Sequence, residues 1–203
     1  MGVLVLGAGG HAKVVCDILL ANNTEVIGLL DDAPATWGTT ILGLPVIGKI
    51  DEYLTYKPSG LILGIGSNRV RKMIVERMGE AASELWCNAV HPSAVIAQSA
   101  RLGQGIVIGA QAVVNPDAII GHHTIINTAA TVDHDCELGA YVHLAPGTHL
   151  AGSITVGEGV LMGVGSQALP NISIGAWAVV GAGATVVKSV PDNVTAKGTP
   201  ARW

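Results

Sequence analysis

Five histidines, His122, His123, His134, His143 and His149, lie in a stretch that otherwise has few groups able to carry chemistry. His134 stands between Asp133 and Asp135, with Glu137 nearby. Carboxylates beside an imidazole raise its pKa and orient it, which suits a general base. The same residues also describe an exposed turn histidine with acidic neighbours, and the residues alone favour neither reading. Three histidines can hold zinc for hydration or hydrolysis. Here, however, His122 and His123 are adjacent and point to opposite faces, so a metal site is the minor reading and none is assigned. A second group of interest opens the chain: Gly7-Ala8-Gly9-Gly10-His11, then Asp31-Asp32 about twenty residues on. Glycines let a backbone approach a phosphate, a helix N-terminus favours the anion, and an acid at that distance serves a ribose or a base edge. The third glycine of the dinucleotide pattern is replaced by Ala12, so this match is weak by itself.

These residues need elements to hold them. Val3 to Leu6 reads as a buried strand, His11 to Ala21 as an amphipathic helix and Glu25 to Leu30 as a second strand. Leu61 to Ile65 reads as a third strand, Val70 to Met78 as its helix and Glu84 to Val90 as a fourth strand, while Ile41 to Gly48 reads as an irregular connection. Strands ending at residues 6, 30 and 65 would share the carboxyl edge of a small parallel sheet, where ligands bind. Gly9, Gly10, His11, Asp31, Asp32 and Asn68 would then line one cleft, with Asn68 as an alternative helix cap.

From Ile96 to Val186 an aliphatic residue or its equivalent recurs at every sixth position, without a break. A period of six fits neither helix nor plain strand and marks a parallel β-helix, with three short strands per coil and residues eighteen apart stacked. The position two before each of these inward residues is small or β-branched, and the position after is a turn residue tolerant of unusual backbone angles. The expected class is therefore α/β plus β-solenoid: residues 1–90 a Rossmann-like domain, residues 91–203 the prism with its C-terminal tail. His143, nine residues beyond His134, falls half a coil away, so the two can meet only across an interface between subunits, and prisms pack naturally as trimers. Gly152, eighteen after His134, would leave the face above that histidine open for an extended ligand.

Of the 203 residues, 27 are glycine and none is phenylalanine, which suits a narrow aliphatic core. A mean hydropathy of +0.49 without an apolar run near eighteen residues argues for burial and against a membrane span. The net charge of −4 argues against nucleic acid. Between His91 and Val187 only Arg101 is basic; Lys188, Lys197 and Arg202 then follow, either as a solvated tail or as a site for an anionic cofactor. Three widely spaced cysteines, Cys16, Cys87 and Cys136, make neither a disulfide framework nor a zinc pattern, and the cytoplasm is the expected compartment.

Taken in order, Gly7-Ala8-Gly9-Gly10-His11-Ala12, Leu30-Asp31-Asp32, Ile65-Gly66-Ser67-Asn68, Val132-Asp133-His134-Asp135-Cys136, His143 and Gly198-Thr199-Pro200-Ala201-Arg202 span nearly the whole chain. In this order and spacing the chain resembles the sugar acetyltransferases of the NeuD/PglD type, left-handed β-helix enzymes of surface-polysaccharide and glycan pathways. The resemblance implies an N-terminal domain for a nucleotide-linked amino sugar, with Gly10, His11, Asp31 and Asp32 at matching positions, and a homotrimeric prism binding acetyl-CoA between subunits. It also implies His134 as general base, with Asp135 in the place of a glutamate found in some relatives. His143 would lie near the thioester, Asn127 near the sugar, and Gly152 in the coil that offers the oxyanion a backbone N–H. The expected activity is N-acetylation of a nucleotide-linked 4-amino-4,6-dideoxy sugar. The alternatives are O-acetylation of a sialic-acid-like sugar, a non-catalytic sugar-nucleotide scaffold and a metal-dependent hydratase. A nucleotidyltransferase would need a basic glycine-rich loop that residues 7 to 13 lack.

Overall fold

The computed structural model describes residues 2–203 and divides between Pro92 and Ser93 into two compact units. In the first, strand β1 (Val3–Leu6) is buried along its whole length, as an apolar strand covered on both faces must be. Gly9 caps helix α1 (Gly10–Ala21), whose residues Ala12, Val15, Cys16 and Leu19 recur at helical spacing and are buried. Strand β2 (Val26–Leu30) pairs in parallel with β1, matching Leu6 with Leu30.

The segment read as an irregular connection instead forms two strands, β3 (Thr40–Ile41) and β4 (Leu44–Gly48), antiparallel to each other. Leu42 and Gly43 both take positive φ, 48° and 81°, which closes a two-residue hairpin turn, and β4 joins β2 in parallel. Pro45 hides this strand from a propensity reading, since it normally marks an edge or a turn. Strand β5 (Gly60–Leu63) completes the order β3-β4-β2-β1-β5, followed by helix α2 (Asn68–Met78). The strand expected over residues 84–90 is largely absent. Gly79–Leu85 winds as a 3-10 helix, Trp86 makes one bridge to Leu61, and only Ala89–Val90 is extended.

The second unit is a left-handed β-helix. Each of the inward residues from Ile96 to Val186 is the second residue of a two-residue strand, and each strand up to Gln167–Ala168 pairs in parallel with the one eighteen residues on, as Ile126 does with Leu144. The residues two positions earlier are inward too: Ala112, Ala130 and Cys136 are fully buried, so each hexad supplies two core groups.

The backbone corrects one expectation about the turns. Every sixth residue from Gly105 to Gly183 has φ between +54° and +68°, and these stand three positions after the inward residue, not immediately after it. Asp135, Tyr141 and Trp177 are among them, although an L residue there costs on the order of 1 kcal/mol. Coil-to-coil hydrogen bonds offset that cost, as in Asp135 N–H to the Pro116 carbonyl at 3.2 Å. The glycine directly after the inward residue answers to a different need. A Cβ on Gly139 would lie 2.8 Å from the Glu158 backbone nitrogen, so the coils stack too closely for a side chain. After Val186 the repeat shortens: Val190 bridges Ile174 and Ala196 pairs with Val180, each sixteen residues apart.

Candidate active site

His134 and Asp135 form the corner between strand Thr131–Val132 on one face of the prism and Glu137–Leu138 on the next. Positive φ at Asp135 turns its side chain back, so that its Oδ2 lies 2.7 Å from His134 Nδ1. Asp133 Oδ1 accepts the His134 backbone N–H at 2.8 Å and is itself held by Asn115 Nδ2 at 2.9 Å, one coil back. With Nδ1–H committed to Asp135, Nε2 is the basic nitrogen. The Asp135 hydrogen bond, helped by the charge of Asp133, raises the His134 pKa above that of an ordinary histidine. The hydrogen bond from the His134 backbone N–H, with a smaller contribution from Asn115, also holds the Asp133 carboxyl below the usual range.

The expected open face above His134 is absent. A Cβ on Gly152 would stand 2.6 Å from both Cε1 and Nε2 of His134, and Gly152 itself is buried. The imidazole lies on the glycine and fills the space.

His143 belongs to the third face, on strand His143–Leu144, and so stands across the prism from the His134 corner. Asn127 Nδ2 lies 3.2 Å from His143 Nε2, while Asn127 Oδ1 accepts the Thr128 N–H at 2.8 Å. That second bond orients the amide so that its Nδ2 donor faces His143 Nε2. The other prism histidines have local tasks. His122 Nδ1 accepts the Gln104 N–H at 3.1 Å, His149 Nδ1 meets Thr131 Oγ1 at 2.9 Å, and buried His123 stacks on Tyr141 with centroids 5.4 Å apart. Among the described residues no group of three or more His, Cys, Asp or Glu is placed to hold a metal ion.

In the first unit, a cavity of about 310 Å³ lies at the carboxyl ends of β1, β2 and β5, walled by Gly9, Gly10, His11, Asp31, Asp32 and Gly66 among others. Gly9 and Gly10 have nothing within 4 Å of a hypothetical Cβ, so their glycine character serves the open space. Ala12 does the work of the missing third glycine: a Cβ on Gly64 would sit 2.8 Å from the Ala12 Cβ, so helix and strand are already in close contact. No side chain caps the N-terminus of α1 and no acid occupies its first turn, so the positive end of the helix dipole meets no side-chain carboxylate there.

The two acids are partly engaged. Asp31 Oδ2 accepts the Ala8 N–H at 2.6 Å and Oδ1 the Ala33 N–H at 2.8 Å, so Asp31 ties down the glycine loop. Asp32 pairs with Arg77 at 2.8 Å. Asn68 is the buried first residue of α2, with Ser67 as N-cap, and lies outside the cavity wall. Sequence reasoning missed Arg71. It is 1% exposed and donates to the Gly66 carbonyl at 2.9 Å and the Ile65 carbonyl at 3.3 Å, holding the β5–α2 loop. Its signal was present, since Asn68, Arg71, Ile74 and Met78 share the buried stripe of α2.

Burial and the Arg71 guanidinium push His11 down to about 4 from 6.5. A depressed histidine pKa means that the unfolded chain binds the proton more readily, so stability holds above pH 6.5 and falls as pH drops toward 4. The His11 share is about 3 kcal/mol. Denaturant unfolding at pH 7 and pH 4.5 should show a smaller acid loss in His11→Asn than in the parent; equal losses would contradict the assignment.

At the end of the prism Lys197 and Arg202 exchange backbone hydrogen bonds of 3.0 Å, bringing their side chains to one short ladder. Arg202 Nη1 donates to the Ala201 carbonyl at 2.9 Å, and Lys188 lies beyond strand Thr185–Val186.

A family model described as the PglD N-terminal domain matches residues 2–78, which carry the glycine loop, both acids and Arg71. Perosamine N-acetyltransferase from Caulobacter crescentus, solved with CoA and GDP-perosamine, is 42% identical with a TM-score of 0.93, over 100% of this chain and 96% of that one. The chain belongs to the PglD-type sugar acetyltransferases. The acetyltransferase domain of PglB from Neisseria gonorrhoeae, solved with acetyl coenzyme A, resembles this family member with 39% identity and a TM-score of 0.90, over 98% of this chain and 97% of that one. UDP-N-acetylbacillosamine N-acetyltransferase from Bacillus subtilis is 41% identical over 116 residues, 53% of this chain and 51% of that protein. The chain thus matches about half the length of that curated relative, and 21% of an uncharacterised mimivirus protein at 34% identity.

Proposed function

We propose that this protein transfers the acetyl group of acetyl-CoA to the amine of a nucleotide-linked 4-amino-4,6-dideoxy sugar, with His134 as general base. The observation that carries the reading is the 2.7 Å contact between His134 Nδ1 and Asp135, which leaves Nε2 basic at an exposed corner. As the neutral amine attacks the thioester carbonyl, Nε2 takes the amine proton and Asp135 stabilises the imidazolium. The tetrahedral oxyanion takes a hydrogen bond from a backbone N–H of the coil carrying Gly152. Collapse expels CoA as thiolate, which the imidazolium reprotonates, so the proton leaves with the thiol and the amide forms.

Residues up to about 90 bind the nucleotide sugar, its diphosphate against Gly9, Gly10 and the α1 N-terminus, with His11, Asp31 and Asp32 around sugar and nucleoside, while Asn68, outside the cavity wall, is given no ligand contact. Residues from about 91 bind acetyl-CoA, the cosubstrate, with Lys188, Lys197 and Arg202 toward its phosphates and His143 and Asn127 toward the thioester and sugar. Because His134 and His143 stand on opposite sides of one prism, the working site combines them from two subunits of a homotrimer. The Caulobacter complex with CoA and GDP-perosamine and the name of the Bacillus relative support both ligand classes. Among the described residues no helix is long and apolar enough to cross a membrane.

Thiol release from acetyl-CoA against UDP-, GDP- and dTDP-linked 4-amino sugars and sialic acid tests this. Turnover on one nucleotide amino sugar is the expected result. Turnover on sialic acid alone would make the protein an O-acetyltransferase, and no release on any acceptor would leave a binding scaffold.

A further inference from the structure

The geometry points to Gly152 as a positioning residue for the base: it is glycine so that the His134 imidazole can lie flat on the next coil with Nδ1 against Asp135. The inference rests on His134 being the base.

The repeat itself supplies the comparison. Gly152 stands two positions after the inward residue Leu150. No other residue at this position from Gln104 to Ala182 is glycine; Pro116, Thr128, Pro146 and Val164 occupy it, as do several alanines. The backbone there accepts any side chain, β-branched or cyclic. The φ of Gly152 lies outside the left-handed region, so conformation does not require glycine either. What sets this site apart is its place eighteen residues after His134.

A Cβ on Gly152 would come within 2.6 Å of His134 Cε1 and Nε2 and 3.2 Å of Nδ1. No backbone atom is among these nearest atoms, so a methyl group moves the ring and leaves the coil in place. Restoring ordinary contact takes about 1 Å of ring movement, a displacement that can cost on the order of 10²-fold in rate. That movement displaces Nδ1 from the position in which it meets Asp135 at 2.7 Å. The titratable groups on this corner are Asp133 and Asp135 on the same turn and Asp117 one coil back; Gly152 and Ser153 contribute none from the coil ahead.

Two readouts test the proposal. In Gly152→Ala, kcat should fall about 10²-fold with KM for both substrates within about two-fold of the parent. The acidic limb of the kcat profile should move to lower pH as the Asp135 contact is lost. The melting temperature should stay, because Ala110 and Ala140 occupy the equivalent position. Independently of turnover, an NMR titration of the His134 ring, assigned by its absence in His134→Ala, should show its pKa falling toward 6.5 in Gly152→Ala and unmoved in Ala140→Gly. An unmoved titration in Gly152→Ala would overturn the proposal. So would a raised KM for acetyl-CoA with kcat intact, which would make Gly152 a cofactor contact. A parent protein that releases no thiol would refute the proposed activity while the titration still decides the seat.

Discussion

His134→Ala should lower kcat by about 10²–10⁴-fold, the usual contribution of a positioned general base, while the protein remains folded. The side chain is 58% exposed on a corner and contributes nothing to the prism core, whose groups are inward residues such as Val132, Cys136 and Leu138. Removing it therefore costs chemistry and leaves the packing. The residual rate should lose the acidic limb that the parent shows. In the parent, the hydrogen bond from Asp135 and the charge of Asp133 raise the pKa, so the base becomes protonated and inactive at a higher pH than an ordinary histidine would. Steady-state kinetics from pH 5 to 9 check both points, with circular dichroism for the fold. Turnover of the purified variant near that of the parent would remove His134 from the reaction.

Arg71→Met should destabilise the first unit by about 3 kcal/mol and weaken nucleotide-sugar binding. Arg71 is 1% exposed, and its guanidinium donates to the Gly66 and Ile65 carbonyls at the rim of the cavity. Methionine fills similar volume with no donors and leaves both carbonyls unmet. Each hydrogen bond to a charged group is worth about 1.5–3 kcal/mol. The loop these bonds hold carries Ile65 and Gly66, part of the cavity wall, so KM for the sugar nucleotide should rise while KM for acetyl-CoA stays. The same substitution removes the charge that helps depress His11, so the His11 pKa should rise from about 4. Denaturant unfolding, the two KM values and a histidine titration separate these effects; unchanged stability would show that the loop does not depend on Arg71.

The prism was legible from spacing because a β-helix repeats one local geometry. An inward residue every six positions, with coils stacking at eighteen, leaves the chain one way to bury its aliphatic groups, and all the strands from Val95 to Val186 follow it. The turn angles were not legible. The left-handed position accepts Tyr141 and Trp177, because hydrogen bonds to the coil before offset the cost, so residue type there carries little signal. In the first unit, strands β1, β2 and β5 are continuous apolar runs and read directly. The strand β4 was hidden by Pro45, and Gly79–Leu85 has no period strong enough to separate a 3-10 turn from a strand.

The sequence by itself determined which groups stand together on one corner. Asp133, His134 and Asp135 are neighbours along the chain, and a corner turn can bring such neighbours into contact through one dihedral. It also placed the glycine loop, Asp31 and Asp32 on one sheet edge, because parallel strands present their carboxyl ends together. Only the tertiary structure decided what each group is committed to. It put Asp31 on the Ala8 N–H, buried Arg71 under the β5–α2 loop, set His143 against the Asn127 amide and laid the His134 ring on Gly152. These contacts join residues 5 to 23 positions apart, across a turn, a strand pairing or a coil, and their distances depend on how backbones stack, which residue order does not specify.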